Sequence, residues 1–445
     1  VIIGPRSALF TPFPNLGLIV MDEEQENSYK SESTPKYHAR ETALEVAELY
    51  GASVVLGSAT PSLEAYYRAG RGEYRLFQLT KRLTGGELPT VYTVDLRQEL
   101  QEGNRSIFSR KLQELMTDRL NKGQQTILFL NRRGYAGFVS CRSCGEVMKC
   151  PHCDVSLSEH KGGRLICHYC GYTQPMPKLC PKCGSKYILG FKAGTQQIEE
   201  KLKELYPGVR TLRMDADTTR TKDSYEKILS SFANGEADVL IGTQMIVKGH
   251  DFPKVTLVGI LAADLSLNAS DYRAGERTFQ LLTQAVGRAG RGVLPGEAVI
   301  QTYQPDHYAI TCAAAQDYES FYQEEILYRE LSGYPPVAHM LAVQIYGKEE
   351  ENVKQLALRL TDVVKSNMDF LSGKQKEQSN KKIQVLGPAP ANISKINDIY
   401  RYVFYVKHAE YDVLVEVKDR LEETLRQWQP RQMSIQFDFD PVSVL

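Results

Sequence analysis

ADVLIGTQMIVKGHDFPKVTLVGILAAD, residues 237–264, holds two short apolar runs separated by a glycine-containing polar stretch, and each run ends in small or acidic residues. Runs of that length, rich in Val, Ile and Leu, read as strands. The same pattern begins upstream at QTILFLN (Gln125–Asn131), returns at VRTLRMDAD (from Val209) and closes with GEAVIQTY (Gly296–Tyr303), with helical patterns between. An earlier set fills residues 1 to about 100: LGLIVM before Asp22, the helical pattern ARETALEVAELY, then SVVLG before Ser58. Such alternation predicts parallel strands joined by helices. The second set is broken at Cys141–Phe191 by a stretch that contains eight of the nine cysteines and little periodicity, so it reads as an insertion inside a domain. From about Thr311 the order changes to helices, LAVQIYG, a charged helix, KIQVLGP, IYRYVFYVK, another helix and MSIQFDFDP, which suggests a small α+β domain of split βαβ type. SGKQKEQSNKK, Ser372–Lys382, reads as a polar loop.

The chain has 445 residues, too many for one hydrophobic core, and about three units are expected. Net charge is zero, so overall charge argues for no nucleic-acid partner and any basic surface must be local. No apolar run approaches the length of a membrane span, and no signal peptide is seen. The opening VIIGPRSALF reads as the interior of a domain, and the chain is expected to be a piece of a longer one.

Four C-x-x-C pairs stand at Cys141/Cys144, Cys150/Cys153, Cys167/Cys170 and Cys180/Cys183. Each can place two thiolates on one tetrahedral ion, so eight ligands make two four-cysteine zinc sites. A disulfide within a C-x-x-C pair would close a tight, strained loop, and nothing marks a secreted protein. Two pairings are sterically open: a nested one, with Cys141, Cys144, Cys180 and Cys183 on one ion and the inner four on another, or a sequential one. Metal would supply folding energy that so short and polar a segment lacks. Residues 132–192 carry ten Lys or Arg against three Asp or Glu, with Tyr169, Tyr172 and Tyr187 interleaved. That balance points to contact with DNA or another protein, beside the plainer reading of a structural staple with a solvated basic face. Cys312 stands alone and reads as a small buried residue.

Four further signals carry chemistry. Asp22 and Glu23 follow an apolar strand, where open α/β sheets bind ligands; the Asp can hold Mg²⁺ and the Glu can deprotonate a water that attacks a γ-phosphate. GSATPS, Gly57–Ser62, ends a strand in hydroxyl residues Ser58 and Thr60, which can sense nucleotide state or merely cap a turn. IGTQMIVKGHDF is followed by QAVGRAGR, Gln284–Arg291, whose Arg288 and Arg291 are three apart and would share a helical face. Guanidinium groups so placed can spread charge on a transferring phosphate.

The order GPRSALF, DEEQ, GSATPS, LNRRGYA, GTQMIVKGHDF and QAVGRAGR resembles motifs Ib to VI of superfamily 2 helicases, and the cysteine cluster narrows the resemblance to the PriA family. The resemblance covers essentially the whole chain. It implies two RecA-like parallel-sheet lobes, residues 1–110 and 111–310, with the zinc insertion 141–191 in the second, and a C-terminal α+β domain over 311–445. It also favours the nested zinc pairing. It implies an ATP-dependent motor that moves 3′ to 5′ on single-stranded DNA, unwinds stalled or repaired forks and loads primosome proteins, with single-stranded DNA-binding protein among its partners and a cytoplasmic location. Residue by residue, the resemblance assigns Mg²⁺ to Asp22 and the base to Glu23. It gives coupling to Ser58 and Thr60, and γ-phosphate contact to Gln284, Arg288 and Arg291. Gly249 and Asp251 would lie near the nucleotide, and Arg6, Ser7, Thr243 and Gln244 at the DNA backbone. The segment Glu26–Arg40 falls where the family has a loop linking DNA binding to hydrolysis, with Tyr29 and Tyr37 placed to stack on a base.

Two departures stand out. Gln25 occupies a position where the family usually has His, so coupling there must run through a neutral amide. No G-x-x-x-x-G-K-[ST] occurs in the chain, although that loop cradles the β and γ phosphates. The expectation is an ATPase in the parent protein and little or no activity in this piece, which as a rival reading is only a zinc-stabilised DNA or primosome-protein binding module. An RNA helicase of the same superfamily would share every motor motif and lack the cysteines.

Overall fold

The computed structural model describes residues 1–79, 88–130, 139–152, 155–160, 163–167, 170–189, 194–215, 218–219, 222–247, 252–269, 271–292, 294–366 and 382–442. In chain order its strands are β1 (Leu18–Met21), β2 (Ser53–Leu56), β3 (Thr90–Asp95), β4 (Gln125–Leu130), β5 (Ser140–Cys141), β6 (Ser158–His160), β7 (Arg164–Ile166), β8 (Thr173–Pro175), β9 (Ile188–Leu189), β10 (Thr211–Met214), β11 (Val239–Gly242), β12 (Val255–Leu261), β13 (Glu297–Thr302), β14 (His339–Gly347), β15 (Gln384–Ile396), β16 (Ile399–His408) and β17 (Met433–Phe439). The α-helices are α1 (Ala39–Tyr50), α2 (Leu63–Gly70), α3 (Leu96–Gln101), α4 (Arg110–Asn121), α5 (Thr195–Leu205), α6 (Lys222–Ala233), α7 (Asp264–Leu267), α8 (Ala274–Val286), α9 (Tyr308–Ala315), α10 (Tyr318–Ser332), α11 (Glu350–Ser366) and α12 (Tyr411–Trp428). They gather into two compact units: Val1–Phe77 with His168–Gly171 and Ile326–Leu445, and Gln78–Cys167 with Tyr172–Glu325.

In the second unit, six parallel strands run in the order β10-β11-β4-β12-β13-β3. β4, β11 and β12 are buried along their whole length, which is why they read as unbroken apolar runs. Leu112, Leu115 and Met116 of α4 and Ile198 and Leu202 of α5 pack on one face. Leu229 and Phe232 of α6, Phe279 and Leu282 of α8 and Ile310 of α9 pack on the other. Burying a large apolar side chain contributes roughly 1.5–3 kcal/mol, so the two layers supply the main driving force. β3 was expected in the first lobe; instead all six of its residues pair in parallel with Glu297–Thr302 of β13. Thr90–Asp95 therefore belongs to this sheet, ahead of the boundary drawn at 110.

The first unit holds the parallel pair β1-β2 with α1 and α2, and a separate antiparallel sheet ordered β15-β16-β14-β17. The latter's element order, β14-α11-β15-β16-α12-β17, is the split βαβ arrangement expected for the tail. Alternation fixes its faces. Leu341, Val343 and Ile345 of β14 and Phe437 and Phe439 of β17 point to α11 and α12, where Leu356, Leu360, Leu414 and Leu421 complete the core. The intervening Gln344 and Asp438 face the other way and are nevertheless buried. Most of the polar loop at 372–382 lies outside the described residues.

Candidate nucleotide and metal sites

β1 delivers Asp22 and Glu23 at its carboxyl end, both exposed. Glu23 sits at φ 49°, its amide donating to Asp22 Oδ1 at 3.0 Å, so the chain turns sharply at the acidic pair. Gln25 Nε2 then donates to Glu23 Oε2 at 2.6 Å, and Gln25 Oε1 accepts from Ser58 Oγ at 2.6 Å. Ser58 Oγ in turn accepts from the Thr60 amide at 2.9 Å. One side chain thus joins the acidic box to GSATPS. The Thr60 hydroxyl is buried and finds no hydrogen-bond partner among the described residues.

A second link lies beneath the first, and the sequence reading missed it. Glu24 is only 2% exposed. Its carboxylate accepts from the Ser62 amide (2.6 Å), the Ser62 hydroxyl (2.9 Å) and Arg40 Nη1 (3.2 Å), while Arg40 Nη1 also donates to Ser62 Oγ at 2.6 Å. Ser62 is also the N-cap of α2, accepting from the Ala65 amide. A buried carboxylate needs such partners, and Arg40 supplies the countercharge from α1. The signal available beforehand was a cap-type serine before the pattern of α2; the acidic partner comes from another element.

Tyr29 donates its hydroxyl to the Asp22 carbonyl at 2.7 Å. Burial, then the nearby carboxylates of Asp22, Glu26 and Glu23, push that phenol above its ordinary pKa and keep it a donor. Arg6, in a 3-10 helix over Arg6–Phe10, donates from Nη1 to the Ser28 carbonyl at 2.6 Å. Arg6, Ser7, Ser28, Tyr29, Ser31 and Tyr37 help to line a cavity of about 600 Å³. Tyr37 meets the Phe10 ring edge-on at 5.1 Å. His38 caps α1, its Nδ1 accepting from the Arg40 amide; burial and then Arg40 hold its pKa down at about 3, so the ring is neutral.

In the second unit, Thr243 follows β11 and Gln244 opens a 3-10 helix, Gln244–Val247. Gly249 and Asp251 lie outside the described residues. Gln284 sits half-buried in the last turn of α8. The spacing of Arg288 and Arg291 predicts a shared helical face, but α8 ends at Val286 with Gly287 as its cap. Both arginines stand on the turn that follows. Gly290 there has φ +68°, and a Cβ would meet the Gly296 amide nitrogen at 2.4 Å, so the turn needs glycine. Arg288 is buried, whereas Arg291 is exposed and returns its Nε to the Gly287 carbonyl at 2.9 Å.

The cysteine insertion settles the pairing of the outer ligands. β5 pairs antiparallel with β9, closing a hairpin that brings Cys141, Cys144, Cys180 and Cys183 together with all four sulfurs within 4.8 Å. Cys141–Cys183 and Cys144–Cys180 sulfurs are 3.6 Å apart. Zn–S bonds of about 2.3 Å at tetrahedral angles place sulfurs roughly 3.7 Å apart, whereas a disulfide requires about 2.05 Å. The donor set therefore fits zinc in the nested arrangement. Cys150, Cys167 and Cys170 form a second group within the same limit, and Cys153 lies outside the described residues, as does Tyr169. The first knuckle rests on the six-stranded sheet: Gly145 has φ +76°, and a Cβ would meet the Tyr303 carbonyl oxygen at 2.5 Å. Ser156 Oγ adds a bond to the Asn268 carbonyl at 2.5 Å. Cys312 is buried in the core below, apart from both groups. Most of LNRRGYA is outside the described residues, and no described helix is long and apolar enough to cross a membrane.

Comparison with known proteins gives three matches along the chain. Residues 330–442 match the primosomal protein N C-terminal domain, residues 150–175 the PriA DNA helicase Cys-rich region domain, and residues 179–293 the helicase conserved C-terminal domain. The whole chain is 45% identical to the replication restart protein PriA of Bacillus subtilis over 446 residues, covering 54% of it. It is 42% identical to the PriA of Synechocystis over 454 residues, covering 53%. The chain thus spans about half the length of these curated relatives.

Proposed function

This chain belongs to the PriA family of replication restart proteins, and from that membership we propose that it forms the greater part of an ATP-driven DNA helicase that moves 3′ to 5′ and assembles primosome proteins at stalled or repaired forks. The observation that carries the reading is the pair of links from the acidic box to GSATPS, Glu23–Gln25–Ser58 and Glu24–Ser62. A motor must make the strand end that touches a phosphate move something else. Here the exposed Glu23 carboxylate is hydrogen-bonded through the Gln25 amide to a second loop, so a change at Glu23 is felt at Ser58.

In this reading Asp22 would hold the Mg²⁺ that accompanies the nucleotide, which would supply neutralising charge at the phosphates. Glu23 orients and deprotonates the attacking water. Arg288, Arg291 and Gln284 meet the γ-phosphate, with Gly249 and Asp251 beside the nucleotide. Ser58 and Thr60 relay its state. Arg6, Ser7, Thr243 and Gln244 hold the DNA backbone, a role that phosphate contacts perform without reading sequence. Two zinc ions, one on each cysteine group, staple the insertion, whose basic surface meets single-stranded or forked DNA. Primosome proteins and single-stranded DNA-binding protein are its protein partners, in the cytoplasm.

A second reading has one specific support: the 445 residues contain no phosphate-cradling G-x-x-x-x-G-K-[ST], so by itself this stretch would bind DNA or proteins without hydrolysing ATP. Glu23→Gln in the full-length protein separates the two. A motor loses unwinding by roughly 100-fold or more while DNA affinity stays within about threefold, as expected when a group acting only in the transition state is removed. Unwinding that persists in the variant would overturn the role given to Glu23, whereas an unaltered protein that never unwinds would leave the binding-module reading standing.

A further inference from the structure

The C-terminal sheet reaches the loop that follows the acidic box. Asp438 lies on β17 opposite Ala342 of β14, on the face turned away from α11 and α12. Two lysines from the loop between the box and α1 end on it. Lys30 Nζ is 2.8 Å from Asp438 Oδ1 and donates to the Phe439 carbonyl at 2.7 Å. Lys36 Nζ is 3.6 Å from Oδ2 and donates to Gln344 Oε1 at 3.1 Å. Gln344 shares that face and also accepts from the Tyr346 hydroxyl. Lysine is almost never buried unless paired. These two side chains are each 6% exposed and Asp438 7%, so among the described residues two buried ammonium groups share one carboxylate as their ion-pair partner.

The loop is tied to itself. Lys30 and His38 form an antiparallel bridge, and the Ser31 amide donates to the Tyr37 carbonyl at 2.8 Å. Its near end is the part that matters for chemistry: Tyr29, which holds the Asp22 carbonyl, is the residue next to Lys30, and Ser28, which receives Arg6, is next to Tyr29. Adjacent Cα atoms are held about 3.8 Å apart by the trans peptide, so the position of Lys30 limits where Tyr29 can sit. We propose that Asp438 is a positioning residue for hydrolysis: by anchoring Lys30 and Lys36 to the C-terminal sheet it fixes the loop that sets the Asp22 backbone and takes the Arg6 contact. The proposal rests on the motor reading above. It makes the C-terminal domain part of the path between DNA contact and nucleotide, in addition to whatever that domain binds.

The test uses the full-length protein with Asp438→Asn, Asp438→Glu and Lys30→Met, read by steady-state DNA-stimulated ATP hydrolysis and by hydrogen exchange of residues 22–38. Asp438→Asn leaves two buried ammonium groups without countercharge, a strongly unfavourable state that releases the loop. The expected result is a fall in kcat of about tenfold with KM for ATP within about twofold, together with faster exchange across 22–38. Asp438→Glu restores both in part, and Lys30→Met gives a smaller loss of the same kind. Lys30→Met keeps one lysine on Asp438 and so decides the matter if Asp438→Asn does not fold. Unchanged exchange at 22–38 in both Asp438→Asn and Lys30→Met overturns the proposal. So does faster exchange with no change in kcat, or a loss that follows only the folded fraction. If the unaltered protein shows no DNA-stimulated hydrolysis, the motor reading fails by itself, and exchange at residues 22–24 alone then decides whether Asp438 positions the box.

Discussion

Gln25 has to donate and accept at once, and its amide does both at every pH without a change of charge. Alanine there would disconnect Glu23 from Ser58, and DNA-stimulated kcat should fall by about 10- to 100-fold with DNA binding retained. Gln25→His should recover much of the loss above neutral pH and lose it as the ring gains a proton near pH 6.5, whereas the natural amide gives no inflection of that origin. Rate against pH from about 5.5 to 8 checks both. The sequence made Gln25 and Ser58 visible because each lies in a recognisable box. It hid Glu24, since nothing local separates three consecutive acidic residues into two exposed and one buried. That division comes from Arg40, on a helix 16 residues further along.

Among the elements, the zinc insertion and the turn after α8 show opposite degrees of legibility. The pairs Cys141/Cys144 and Cys180/Cys183 stand at the two ends of a hairpin, and β5-β9 pairing brings them together as the nested arrangement requires. The full chain should carry about two zinc ions, and Cys183→Ser should reduce the content to about one, measured by elemental analysis after gel filtration. A content that stays near two would remove the proposed ligand role of Cys183. Arg288 and Arg291 read as helical because their spacing fits a helix, yet Gly287 and Gly290 between and before them carry the opposite instruction. Glycine past a helix end is the commoner stop signal, and here it overrides spacing. One guanidinium is consequently buried and the other left in solvent.

Across the molecule, stability should fall on mild acidification. Burial and then Arg40 hold His38 at a pKa of about 3, and burial and then Lys149 hold His307 at about 4. Unfolded, both would take up a proton below about pH 6.5, so between there and pH 4 the unfolded chain binds more protons than the folded one. Stability is therefore fully present above 6.5 and declines as pH drops, by roughly 1 kcal/mol per unit for each ring. Thermal melting from pH 7.5 to 4.5 should show that decline, and His38→Asn, which keeps a capping acceptor that does not titrate, should make it shallower. The alternation of apolar runs and helical patterns located both strand sets and the terminal α+β tail. It did not show which sheet β3 joins, because a strand's own residues do not name a partner more than 200 positions away.

That long-range pairing has a consequence during synthesis. β3 leaves the ribosome about two hundred residues ahead of β13, the strand beside which it lies. At about 5–20 residues per second the interval is on the order of 10 to 40 seconds. For that time a nascent edge rich in Val, Tyr and Thr has no neighbour, and unpaired edges invite association with other chains. Translation speed across the cysteine insertion, which falls within the interval, therefore bears directly on how much newly made protein reaches its native state.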